Sequence, residues 1–90
     1  MGTVDMNTEV AVPILFDGYI CVRTNFTATT GYALVTITNE NGVTIFVNQV
    51  NCGPNASYAY ETGFVPVKAG WSIKATGSNI QALKYKFTHV

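Results

Sequence analysis

The chain has 90 residues, enough for one domain, and five bases balance five acids to leave no net charge. Its Lys and Arg residues are scattered, which excludes the electrostatic footprint of a nucleic-acid or anionic-membrane binder; no apolar run nears the ~20 residues of a membrane-spanning helix. Charged residues are 11% of the chain and apolar residues 48%, where an ordinary soluble domain is roughly 25% charged. Surplus apolar surface normally marks a contact, so we expect an obligate homo-oligomer rather than a monomer dressed in Thr, Asn and Ser.

Residues 1–7 are polar and unpatterned and are expected as an N-terminal arm or remnant, leaving 8–90 as one module. Residues 8–16 are β-rich but contain Pro13, which cannot donate to a ladder, so an edge strand with a bend is expected there. Asp17-Gly18 signals a turn. Residues 19–24 read as a strand with Ile20 and Val22 on one face and Tyr19, Cys21 and Arg23 on the other, followed by a Thr-rich loop over 25–31. Residues 32–38 set Ala33, Val35 and Ile37 against Leu34, Thr36 and Thr38, and Asn41-Gly42 then turns the chain into a returning strand over 43–49. Residues 51–55 read as a loop and 57–61 as a short aromatic strand.

Residues 64–77 are the most strongly patterned stretch. A first strand carries Pro66, which again implies a sheet edge, and a tight turn follows at Lys68-Ala69-Gly70. The next strand opens on Trp71, the chain's one tryptophan, with Ile73 and Ala75 on the same face and Ser72, Lys74 and Thr76 opposite. After a turn at 77–79, residues 80–88 form the last strand with Leu83, Tyr85 and Phe87 inward. Seven or eight short strands separated by turn signals, with no helical period over ten residues, specify an all-β sandwich or barrel.

Groups that could carry chemistry are few. His89 is the one histidine and is expected exposed at the chain end, and the five carboxylates fall in turns, at strand ends or in the arm. No nucleophile, base and orienting group can be drawn together, so no enzymatic activity is expected. One histidine and two cysteines fall short of a structural zinc site, and no cofactor is expected. Cys21 and Cys52 permit one disulfide or two free thiols. The best placed binding candidates are Asn51 and Asn55 in a loop and Tyr58 and Tyr60 beside it. With Tyr32 and Trp71 these tyrosines could form a sugar-stacking platform, or they could be core or inter-subunit packing.

Three stretches resemble bacteriophage tail-fibre and tailspike tip domains. Asp17-Gly18-Tyr19-Ile20-Cys21-Val22 is similar to the strand opening (D/N)GYxxV of that family, and residues 64–75 resemble its xVPVKKGDxIKx segment. The ending Leu83-Lys84-Tyr85-Lys86-Phe87 is similar to the family's short closing strand. Two departures stand out: Trp71 replaces the usual polar residue after the turn glycine, and the chain lacks the common proline ending. Tumour-necrosis-factor-like jelly rolls share the general pattern. The resemblance implies a small antiparallel jelly-roll-like β-sandwich, homotrimeric, at a virion's tail-fibre tip, binding a host-cell surface glycan or protein. The alternatives are a monomeric, extracellular carbohydrate-binding module and a ligand-free oligomerisation or adhesion domain.

Overall fold

Val, Ile, Thr and aromatic residues fill most segments of this chain with period two, the pattern of strands with one buried face. The computed structural model describes residues 2–27, 30–52 and 59–89, and within them there are nine strands and no helix. They are β1 (Gly2–Asp5), β2 (Val12–Pro13), β3 (Gly18–Phe26), β4 (Gly31–Thr38), β5 (Thr44–Cys52), β6 (Ala59–Glu61), β7 (Val65–Val67), β8 (Ser72–Ser78) and β9 (Ile80–His89).

The strands form two antiparallel sheets packed face to face. One has the order β1-β9-β3, and the free side of β3 is shared by β6, opposite residues 23–25, and β7, opposite residues 18–20. The other has the order β2-β8-β4-β5. β6 and β7 thus act as one interrupted strand, which makes eight in all. The chain then crosses from sheet to sheet at every connection except the β4–β5 hairpin. That winding is the jelly roll, the small antiparallel sandwich expected. Both prolines read as edge markers sit on edges: Pro13 on β2 and Pro66 on β7.

The inward faces meet in one main core. Ile20 and Val22 of β3, Val35 and Ile37 of β4, Ile73 and Ala75 of β8, and Leu83 and Tyr85 of β9 are all buried there. Each fully buried Ile or Val side chain contributes roughly 1.5–3 kcal/mol. Phe26 and Ala33 begin a smaller cluster at one end of the sandwich, completed by Val50, Tyr60 and Ile80. Trp71 is half-buried against the main core at the opposite end. There Asp17 Oδ1 accepts from Ala69 N at 3.0 Å and Gly70 N donates to Ile14 O at 2.9 Å, tying two loops together.

Several local expectations change. Residues 2–5, expected within an arm, form β1 in register with β9, from Gly2 opposite Phe87 to Asp5 opposite Lys84, and Met6 enters the core. In a four-residue strand only Val4 faces in, too little for a period to show. Residues 8–16 yield only the two-residue β2, because Glu9 adopts a φ of 65° and breaks the extended run. The Asn41-Gly42 signal does mark a hairpin, but only Gly42 takes positive φ, at 80°. Gly42 N donates to Asn39 O at 3.1 Å, and the Asn39 side chain accepts from Asn41 N and Val43 N. This is a three-residue loop, 40–42, closed by a glycine bulge rather than a two-residue one.

Candidate functional site

The end of the sandwich holding Phe26 also holds what the structure describes of the expected binding residues. Asn51, expected in a loop, instead extends β5, exposed and directly across the strand pair from Tyr32, which is 40% exposed. Gln49 Nε2 donates to Asn51 Oδ1 at 3.2 Å, so the two amides and the Tyr32 ring share the outer face of the same sheet. Asn55 and Tyr58 lie outside the described residues. Tyr60 turns inward on β6 and meets Phe26 edge-on, ring centroids 5.9 Å apart.

Trp71 is remote from this end. It precedes Ser72 at the start of β8, whereas Tyr32 pairs with Ser78 at its finish; six residues of strand separate them by roughly 20 Å. Tyr32, Tyr60 and Trp71 therefore do not make one platform. Tyr60 and Trp71 are packing residues, and Tyr32 with Asn51 is what remains of a polar-aromatic surface.

A second site was not legible in the sequence. The flank of the sandwich where β1 and β2 end their sheets opens into an apolar groove of about 400 Å³. Val4, Val12, Pro13 and Leu15 line it, together with Phe16, Tyr85, Phe87 and His89. Phe16 holds its inner wall, with its ring 4.8 Å from that of Phe87 and stacked on the His89 imidazole at 4.9 Å and 7°. Exposed as expected, His89 is nonetheless held by that stack. Leu15, 82% exposed, stands at the rim. Recognising the groove requires knowing that residues 2–5 form a strand, and nothing local announces that.

The third cluster is polar. On the outer face of the β1-β9-β3 sheet, Glu61 bridges Arg23 at 3.3 Å and Lys86 at 3.2 Å, and the Cys21 thiol donates to Glu61 Oε2 at 3.4 Å. The Lys86 ammonium, and then the thiol hydrogen bond, hold the Glu61 carboxyl below its ordinary range. Burial, and then the hydrogen bond to Glu61, push the Cys21 thiol up. Cys21 is a free thiol, 1% exposed. A buried thiol held neutral beneath a carboxylate is the opposite of an activated nucleophile, which needs a cationic, accessible setting. Among the described residues no group of three or more His, Cys, Asp or Glu side chains is placed to hold a metal ion.

No family model matches this chain, and no curated protein matches it significantly.

Proposed function

We propose that this chain is a non-enzymatic attachment head: a jelly roll that trimerises at the tip of a phage tail fibre and contacts a host-cell surface glycan or protein. The observation that carries the reading is the exposure of eight large apolar side chains, among the described residues, on a domain of so little charge. A protomer with that surface is incomplete alone, and the jelly-roll winding agrees with the resemblance of residues 17–22, 64–75 and 83–87 to tail-fibre tips. The receptor contact is assigned to the end bearing Tyr32 and Asn51, where a ring face and two amides offer stacking and hydrogen bonds together. The separation of Trp71 from Tyr32 and Tyr60 counts against a monomeric sugar-binding module built on those aromatics.

The test is the solution mass by light scattering across a dilution series, followed by glycan-array and whole-cell binding. A particle of three times 9.7 kDa that survives dilution supports the head. A stable monomer sinks it. Tyr32→Ala should abolish binding to the receptor and leave the trimer mass unchanged; retained binding would remove this end from the contact.

A further inference from the structure

Sheet edges are where a small sandwich is exposed to pairing with other chains, and natural proteins blunt them with prolines, charges or short length. Three edges here are blunted. β2 is two residues long and contains Pro13, the β6/β7 edge is interrupted and contains Pro66, and β1 has four residues and ends on Asp5. β5 is different. It runs nine residues from Thr44 to Cys52 with no proline and no charge; Val43 just before it and Ile45 and Val47 along it are 55%, 49% and 59% exposed. These apolar residues occupy only positions 43–47, about 15 Å of chain, which leaves Gln49 and Asn51 farther along β5 outside the ridge they make.

The sheet order puts β2 and β5 at opposite edges, so the β5 ridge and the β1/β2 groove lie on opposite flanks of one protomer. One is a row of projecting apolar side chains and the other an apolar hollow of about 400 Å³ with Leu15 at its rim. Neither holds a charged side chain at its centre, which is the composition of a contact core. A two-fold contact of β5 with β5 would cover the ridge and leave the groove and Leu15 wet. A head-to-tail contact covers both at once.

We propose that the β5 ridge of one copy seats in the β1/β2 groove of the next, a heterologous contact that closes into the trimer. The inference rests on the trimeric reading above and assigns its surfaces. Contacts of this type close into rings when the rotation between copies permits.

Val47→Asp spoils the ridge and Leu15→Asp the groove, both at exposed positions where the fold should survive, with circular dichroism as the check. Ile45→Asp replaces Val47→Asp should that variant lose its fold. Each variant alone should be monomeric at concentrations where the unaltered chain is trimeric, with the dissociation constant raised roughly thirtyfold or more. Mixed at high concentration, the two variants should form a 1:1 complex of twice 9.7 kDa. In that complex the intact ridge of the Leu15→Asp copy meets the intact groove of the Val47→Asp copy.

If either variant alone stays trimeric, the assignment is overturned and the trimer itself stands. Monomeric variants that fail to associate on mixing, or an unaltered chain that is a dimer, would point to a two-fold contact and overturn it as well. An unaltered chain that is monomeric overturns the trimeric reading and this contact together.

Discussion

The outer faces of the two sheets differ in a way their inner faces do not. Asp5, Arg23, Glu61, Lys84 and Lys86 all lie on the outside of the β1-β9-β3 sheet, half of the ten acids and bases in the chain. Among the described residues, the strands of the β2-β8-β4-β5 sheet turn one charge outward, Lys74, beside Tyr32, Leu34, Ile45, Val47 and neutral polar side chains. Inside, both sheets contribute the same kind of aliphatic row. The first face therefore holds water, while the second has little to hold it. An average over composition conceals this division, because it is the alternation along each strand that sorts the charges onto one face.

The sharpest contrast is between neighbouring positions on one strand. Ile73→Asp would place an unpaired carboxylate at a site 0% exposed, at a cost of several kcal/mol. That approaches the whole stability expected of a domain this size, roughly 5–13 kcal/mol. The variant should show no cooperative unfolding transition in urea, whereas Lys74→Asp next to it should unfold within about 0.5 kcal/mol of the unaltered chain. Ile37 and Val35 belong with Ile73. Charges there would unfold the protomer, so they say nothing about assembly, and Ile45 and Val47 are the positions that do.

The two sheets also close tightly at glycines. A methyl group at Gly77 would run into the backbone oxygen of Tyr32 on β4, and one at Gly18 into that of Thr88 on β9. Gly77→Ala and Gly18→Ala should each cost about 1–3 kcal/mol, since backbone rather than a flexible side chain must move. Equal losses would show both ladders to be equally rigid, and a smaller loss at Gly77 would identify the neutral sheet as the softer one. Asn48 works in the other direction. Its Oδ1 is buried without a hydrogen-bond partner on β5, between Phe46 and Val50. Asn48→Val removes that orphan from a strand position that favours branched side chains, and should raise stability by about 1 kcal/mol in the same urea assay.

How much of this was legible follows from where period two is expressed. β3, β4, β8 and β9 are long, bury one face, and alternate; their inward residues Ile20, Val35, Ile73 and Leu83 read correctly from the sequence. Prolines 13 and 66 gave two edges, because the missing donor is a local fact. β1 was illegible, since its evidence is the partner it finds some eighty residues away in β9. β5 was half legible: Ile45, Phe46 and Val47 are consecutive apolar residues, so periodicity cannot say which face is buried. Where the aromatics sit relative to one another was illegible for a related reason. Strand patterns assign faces, but which end of the sandwich a residue occupies depends on direction and register across both sheets, and these place Trp71 far from Tyr32.

The smallest expected effect separates the two outer faces by pH. Glu61 is paired with Lys86 and Arg23 on the charged face, and its carboxyl is held below the ordinary range. A carboxylate depressed in the folded state adds stability above its unfolded pKa and loses it as pH falls through the folded value. Its side chain is 38% exposed, so solvent screening limits the contribution to at most about 1 kcal/mol. Glu61→Gln should therefore be slightly less stable than the unaltered chain at pH 7, and the two should converge below pH ~4. Cys21 beneath it behaves oppositely. Its raised thiol adds stability that is complete below the unfolded pKa and fades as pH climbs towards the folded one, so the alkaline limb steepens above the ordinary value of 9.0. Urea midpoints from pH 3 to pH 10 read both limbs in one series, and a Glu61→Gln curve parallel to the unaltered one throughout would show that the charged face holds water without stabilising the fold.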